Sequence, residues 1–235
     1  MVKSLELPFL KLIETLTRAL FVIVTTYSLP IVEAGQFGLL ITLIGYCVFL
    51  VGYERYIDIQ RKHVNSSMLI FDSMVLDVLK LYSINYIFIL PLYILLVFSW
   101  LGLSSLLLIA CLIILIGEQV SNQAYHLAMI DRRFYKIIYL VIIKNLINFT
   151  YLIYLLVGNS PYDLSILLEF WMWTSFISLV FIFLVWSNFK TSSYNNFYNN
   201  YRAIIFKQYS WSLTHFLIGL LAITSLQLDR FIVGF

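Results

Sequence analysis

Hydrophobic and polar positions follow one another along the chain in long blocks rather than in alternation. Apolar runs of about 20 residues recur, and each is long enough to cross the hydrocarbon core of a bilayer as an α-helix. This pattern predicts an all-α fold, a polytopic transmembrane helix bundle. The predicted spans are 9–29, 36–55, 78–99, 103–128, 137–157, 165–187 and 209–235.

Two connections between the apolar runs are longer than the others and divide the chain. They cover 56–77 and 188–208, and the second is rich in Asn and Tyr. We therefore predict an N-terminal transmembrane lobe of six spans at 1–187 and an inter-lobe linker at 188–208. A seventh span at 209–235 would begin a second lobe.

The composition leaves no room for a water-soluble domain. Hydrophobic residues make up 62% of the chain and charged residues only 11%, whereas soluble domains carry about 25% charged residues. The chain has no basic stripe of the kind that binds nucleic acid, so we expect no nucleic-acid partner. Cys47 and Cys111 lie in separate apolar runs and are interpreted as small core residues rather than a disulfide or metal site.

The distribution of Lys and Arg over the connections predicts the orientation in the membrane. Connections on one side carry Lys3; Arg55, Arg61 and Lys62; Arg132, Arg133 and Lys136; and Lys190, Arg202 and Lys207. The opposite connections, at 30–35, 99–104 and 158–161, carry none. Because cytoplasmic loops accumulate Lys and Arg, we expect the N-terminus and the 188–208 linker to lie in the cytoplasm.

Charged residues inside predicted spans are the candidates for function, because such residues are rare and face a partner or a hydrated cavity. Lys11, Glu14 and Arg18 are spaced i, i+3 and i+7, so they share one face of the first span. They indicate either a Glu14–Arg18 pair that only neutralises itself or the charged wall of a cavity.

Other charged residues within spans are Asp229, Arg230 and Lys144, each a candidate for function. Asp229 and Arg230 are adjacent in the seventh span and point in different directions on a helix, so each needs another partner, for which the charged face of the first span is a candidate. Lys144 lies in the fifth span, and its long stem favours snorkelling to the cytoplasmic interface.

Polar residues in the fourth span form the stripe Glu118, Asn122 and His126 at intervals of four. Because this span is longer than the bilayer requires, we expect the stripe to protrude as a solvated or interhelical face. The chain has no HExxH cluster and no glycine-rich phosphate loop, so no catalytic residues, metal ligands or cofactors are predicted and the protein is not expected to be an enzyme.

Two motifs carry a resemblance to a known family. The segment 29–38, LPIVEAGQFG, resembles the turn between spans one and two of Wzx-type polysaccharide flippases, which belong to the multidrug/oligosaccharidyl-lipid/polysaccharide exporter superfamily. The segment 227–234, QLDRFIVG, is similar to the seventh span of the same family. Members have about twelve spans in two lobes, so the resemblance implies that this chain is the N-terminal portion of such a protein.

The resemblance implies transport of undecaprenyl-pyrophosphate-linked oligosaccharide from the inner to the outer leaflet of the bacterial cell membrane, for O-antigen or capsule assembly. The resemblance also implies contact with other polysaccharide-assembly proteins. A pyrophosphate crossing hydrocarbon needs cationic contacts. The substrate-binding candidates are Arg18, Arg230, Lys11 and Lys144, and the coupling candidates are Glu14 and Asp229.

Two other functions stay open at this point. The chain could be a membrane-embedded glycan polymerase or acyltransferase, although such an enzyme needs a reactive cluster, commonly on a sizeable outer loop. It could also be a scaffold subunit of the same pathway that transports nothing. Neighbouring glycosyltransferase and sugar-nucleotide genes would favour the flippase.

Overall fold

The computed structural model describes residues 6–52, 68–101, 104–128, 135–158 and 163–187, together with positions 220, 221 and 224. All secondary structure in this part of the chain is helical, so the predicted all-α fold is confirmed. The helices are α1 (Glu6–Ser28), α2 (Ile31–Gly52), α3 (Met68–Leu101), α4 (Ser105–Ala128), α5 (Tyr135–Val157) and α6 (Leu164–Ser187).

Five of these helices are long and apolar enough to cross a membrane. The apolar segments are Ile31–Gly52, Tyr82–Ser99, Ser105–Leu127, Tyr135–Val157 and Leu164–Leu184. Large apolar side chains such as Ile87, Tyr154 and Phe183 lie exposed on the outer surface, where lipid rather than water would accept them. The chain is therefore a membrane protein.

The six helices correspond to the first six predicted spans, with one difference in length. The helix α3 begins at Met68, well before the predicted start at residue 78. Asp72, Asp77 and Lys80 interrupt the apolar pattern there, but charged side chains do not prevent a helix from continuing beyond the apolar segment. The helix α1 has 23 residues and four charged ones, which sets it apart from the five apolar helices.

Local capping fixes where several helices begin. The Pro30 carbonyl accepts the first hydrogen bond of α2, from the Ala34 amide at 2.8 Å. Proline suits this position because an amide hydrogen at the start of a helix would have no partner within the helix. The Asp163 carboxylate accepts from the Ile166 amide at 2.9 Å and caps α6. These short polar breaks allow consecutive helices to reverse direction.

The helices pack into one bundle with a continuous apolar core. The helix α4 lies against α6, α5 and α2, while α1 packs mainly on α5 and α2, and α3 packs on α2. The core includes Phe37 and Leu40 of α2, Leu115 of α4 and Leu168 of α6. Polar contacts add to the packing, since the Asn85 amide of α3 donates to the Val51 carbonyl of α2 at 3.0 Å.

One end of the bundle gathers the connections that lack Lys and Arg. The Leu164 amide at the start of α6 donates to the Glu33 carboxylate at 2.7 Å, and the Gln36 side-chain amide donates to the Leu101 carbonyl at 3.0 Å. The connections after α1, α3 and α5 therefore lie together. The helix ends at Gly52, Met68, Ala128 and Tyr135 belong to the opposite end of the bundle, and the connections between them in the sequence are the ones that contain Lys and Arg.

The glycines of α2 do not share one role. A methyl group added at Gly38 would meet nothing within 4 Å, whereas a Cβ added at Gly52 would lie 3.4 Å from the Gln123 side-chain nitrogen of α4. The close helix approach is at Gly117 of α4, where an added Cβ would lie 3.1 Å from the Ser175 Cβ of α6. The predicted linker at 188–208 lies outside the described residues, as does the predicted seventh span at 209–235 apart from three helical positions.

Candidate functional site

Three helices bring their charged side chains together in the middle of the bundle. The Glu118 carboxylate of α4 lies 2.8 Å from the Lys144 Nζ of α5 and 3.3 Å from the Arg18 Nη1 of α1. We call these three residues the charge cluster. Its exposed fractions differ sharply: 2% for the Lys144 side chain, 6% for Glu118 and 42% for Arg18.

The cluster lies at membrane depth on all three helices. At 1.5 Å per residue, Glu118 is roughly 20 Å from the start of α4 at Ser105, and Arg18 is roughly 15 Å from the end of α1 at Ser28. Lys144 is roughly 14 Å from the start of α5 at Tyr135. Because α1 and α5 run alongside each other and α4 packs on α5, these positions meet in one layer.

The structure changes the pairing that was considered for α1. Glu14 pairs with Lys11, whose Nζ lies 2.5 Å from the carboxylate, rather than with Arg18. The Lys11 ammonium also lies 4.3 Å from the centre of the Tyr125 ring of α4. These two contacts hold Lys11 and Glu14 one turn away from Arg18, which is then available for the carboxylate of another helix.

The structure contradicts one expectation about α5 and decides between the two alternatives for α4. Lys144 does not snorkel to the interface, because its ammonium donates to Glu118 inside the bundle. At Glu118 the polar stripe of α4 is interhelical and not solvated, because Glu118 is buried and pairs with Lys144 of α5 and Arg18 of α1. A charge inside the bundle is tolerated when it is paired, and each of these residues supplies the partner the other needs.

A small cavity adjoins the cluster. Its volume is about 10 Å³, close to the smallest space that holds one water molecule. Polar side chains on its wall are Arg18, Glu118, Asn145 and Asn148, and apolar ones are Phe21, Val22 and Ile41. Trp171 also lines it and makes a side-chain hydrogen bond to Glu118. The cavity therefore lies where α1, α2, α4, α5 and α6 meet.

Neighbouring contacts fix two of the cavity residues. The Thr174 hydroxyl of α6 donates to the Asn148 side-chain oxygen at 2.7 Å, which orients the amide of Asn148. The Trp171 ring packs edge-on against Phe21 at 5.5 Å between centroids and also contacts Phe37. Trp171 is buried, whereas Trp173, two residues later on α6, is exposed.

The charge cluster carries one more positive than negative charge. Arg18 and Lys144 contribute two cations and Glu118 one anion, while Glu14 is engaged by Lys11 on the same helix. Glu33, the acidic residue of the LPIVEAGQFG segment, lies at the loop end of the bundle and caps α6. Within the described residues, the balance at the cavity is thus positive.

The predicted site residues fall into three groups. The structure brings Arg18 and Lys144 together, and it places Lys11 and Glu14 one helical turn away. Asp229 and Arg230 lie outside the described residues. Sequence reasoning did not assign Glu118, Asn145 or Asn148 to the site. The available signal was that Glu118 is the only acidic residue of α4, and that the two asparagines follow Lys144 at i+1 and i+4.

Comparison with known proteins returns no relative: no family model, no curated protein and no solved structure matches the chain. Among the described residues, no group of three His, Cys, Asp or Glu side chains is placed to hold a metal ion. Cys47 and Cys111 are buried free thiols. The charge cluster and its cavity are thus the feature from which a function can be argued.

Proposed function

We propose that the protein is a flippase, or the N-terminal part of one, that moves undecaprenyl-pyrophosphate-linked oligosaccharide from the inner to the outer leaflet of the bacterial cell membrane. In this proposal the N-terminus is cytoplasmic and the product feeds surface polysaccharide assembly. The observation that carries the proposal is the charge cluster, whose surplus cation Arg18 has a half-exposed guanidinium at mid-membrane depth.

The physical argument starts from the cost of moving a pyrophosphate through hydrocarbon. A charged group at the bilayer centre costs about 2.5–3.5 kcal/mol on insertion scales, so its path needs compensating cations. Arginine suits this purpose because its planar guanidinium stays charged and donates two parallel hydrogen bonds to phosphate oxygens. Arg18 has donors to spare, since its contact with Glu118 is at 3.3 Å and its side chain is 42% exposed.

The contacts divide the candidate residues by role. We assign Arg18 to the substrate and Lys144 to positioning, because the buried Lys144 ammonium is committed to Glu118. Lys11 contacts Glu14 and Tyr125, so it is a weaker candidate for the substrate than Arg18. The coupling role considered for Glu14 and Asp229 remains part of the proposal, and Glu118 joins them as a carboxylate between two cations.

The orientation rests on the asymmetry between the two ends of the bundle. The end formed around Glu33 and Gln36 carries connections without Lys or Arg, whereas the sequence connecting α2 to α3 and α4 to α5 contains Arg55, Arg132 and Arg133. The positive-inside rule then assigns the basic end to the cytoplasm. Impermeant thiol labelling of single cysteines at Asn65 and Asn159 tests this: only the second should react in intact cells.

The function itself is tested in the native host by substitutions in the chromosomal gene. Arg18→Ala should abolish surface polysaccharide with near-normal protein abundance, and Arg18→Lys should retain a fraction. Lys136→Ala, at an exposed position near the start of α5, serves as the control. Lipid-linked units should then accumulate in the inner leaflet. Accumulation of single units in the outer leaflet would instead indicate a polymerase, and normal transbilayer movement with lost polysaccharide would indicate an acyltransferase or scaffold.

A further inference from the structure

Four uncharged polar side chains lie buried between α2, α3 and α4. Gln119 and Gln123 of α4 are 2% and 8% exposed, and Tyr82 and Asn85 of α3 are 5% and 8% exposed. We call these four residues the amide cluster. They lie near the end of α2, where the Asn85 amide donates to the Val51 carbonyl at 3.0 Å. The amide cluster shares no residue with the charge cluster or with the wall of its cavity.

Gln119 is the member of the amide cluster whose hydrogen-bonding capacity is unused. Neither the nitrogen nor the oxygen of its side-chain amide has a hydrogen-bond partner among the described residues, although the side chain is almost fully buried. A buried amide without hydrogen bonds destabilises a fold, so such groups are satisfied by the protein or by bound water. Because an amide both donates and accepts, Gln119 calls for a neutral ligand that does the same.

Gly52, the last residue of α2, leaves the space for such a ligand. A Cβ added at Gly52 would lie 3.4 Å from the Gln123 side-chain nitrogen and 3.6 Å from that of Gln119. It would also lie 3.9 Å from the Tyr82 hydroxyl oxygen. These are ordinary contact distances, so a particle of about the size of a methyl group fits among three polar groups. A water molecule has about this size, and a buried water typically makes about three hydrogen bonds.

We propose that the amide cluster binds one structural water molecule, held by Gln119, Gln123 and Tyr82 beside the backbone of Gly52. The water joins α3 to α4 against the end of α2. Glycine is required at position 52 because any side chain would occupy the position of the water. The proposal does not depend on the proposed function.

The stability of small substitutions at position 52 tests the site. Gly52→Ala should lower the Tm of the full chain in nanodiscs by about 2–4 °C, because its methyl group displaces the water and leaves Gln119 unsatisfied. Gly52→Ser should lower it less, because the serine hydroxyl takes the place of the water. The matched controls are Gly38→Ala and Gly38→Ser, where an added Cβ meets nothing within 4 Å. There Ala should give the higher Tm, since it is the better helix former.

A second substitution tests whether Gln119 is the group that needs the water. Gln119→Leu removes the amide, so displacement of the water then leaves no unsatisfied group on this residue. In the Gln119→Leu background, Gly52→Ala should therefore no longer lower the Tm. If Gln119→Leu does not fold, the order of Ala and Ser at position 52 still decides the matter.

X-ray footprinting provides a local readout, because hydroxyl radicals formed from a bound water oxidise the side chain beside it. Tyr82 should be oxidised faster than Tyr93, which is also buried on α3 and whose hydroxyl donates to the Cys111 carbonyl at 3.2 Å. Gly52→Ala should reduce the oxidation rate of Tyr82 severalfold and leave that of Tyr93 unchanged.

Two results would overturn the proposal. The first is that Gly52→Ala changes the Tm by the same amount as Gly38→Ala, which would show that Gln119 finds its partner elsewhere in the protein. The second is an equal oxidation rate of Tyr82 in the wild type and in Gly52→Ala, which would show that the methyl group displaces no water.

Discussion

Two Lys–Glu pairs among the described residues differ in their surroundings. Lys11 and Glu14 are three residues apart on α1, with side chains 34% and 12% exposed. Lys144 and Glu118 are 26 residues apart on two helices, with side chains 2% and 6% exposed. The first pair, which we call the α1 pair, holds two side chains on the surface of one helix. The second, which we call the interior pair, joins α4 to α5 inside the bundle.

This difference changes what each pair contributes. An i, i+3 pair stabilises a helix by about 0.2–0.5 kcal/mol, because water or headgroups can solvate either partner when the other is removed. Removing one partner of a buried pair costs about 3–5 kcal/mol, because the remaining charge has no solvent. The pair on α1 is thus a local contact with little effect on stability. The stability of the bundle depends on the pair between α4 and α5.

The largest expected effect follows from removing the shared carboxylate. Glu118→Leu leaves Lys144 and Arg18 without their anion, and Lys144 is almost fully buried. We expect a loss of about 3–5 kcal/mol in the free energy of unfolding, measured by denaturation in mixed micelles. A loss below about 1 kcal/mol would show that the interior pair is no more important than the one on α1.

Removing the buried ammonium should cost less than removing the carboxylate. In Lys144→Met the Glu118 carboxylate loses its 2.8 Å hydrogen bond but keeps Arg18 as a counter-charge. The expected loss is about 1.5–3 kcal/mol, the range for a hydrogen bond to a charged group. If Lys144→Met were as damaging as Glu118→Leu, Arg18 would contribute nothing to the compensation of Glu118.

The backbone position of the interior pair can be disturbed without touching a charge. Gly117 precedes Glu118, and its hypothetical Cβ lies 3.1 Å from the Ser175 Cβ of α6. Gly117→Leu should push α4 away from α6 and cost about 1–3 kcal/mol by overpacking. The matched control is Gly38→Leu, where the space around the added Cβ is open, and equal losses in the two variants would contradict this close approach.

The smallest effect is expected for the pair on α1. Glu14→Gln removes the charge that faces Lys11, but Lys11 still contacts the Tyr125 ring at 4.3 Å. The expected change in the free energy of unfolding is about 0.2–0.5 kcal/mol, measured by the same titration. A loss of several kcal/mol would mean that Glu14 belongs to the charge cluster after all.

The sequence was sufficient for the helices and not for the pairing between them. Apolar runs of membrane length predict the six helices, and the succession of spans predicts which connections share an end, in agreement with the contacts of Glu33 and Gln36. The partner of Glu118 depends on how α4 and α5 rotate against each other, which periodicity along one helix does not determine. Arg18 and Lys144 were therefore recognised as unusual residues, but their meeting on Glu118 was not foreseen.

The central claim is that Glu118 and Lys144 form an interior pair at the charge cluster, and a double-mutant cycle tests it most directly. The cycle uses Glu118→Gln, Lys144→Met and their combination, with Glu14→Gln and Lys11→Met as the matched cycle on α1. The free energies of unfolding should give a coupling of about 2–3 kcal/mol for the interior pair and below about 0.5 kcal/mol for the α1 pair. A coupling of the interior pair no larger than that of the α1 pair would contradict the account.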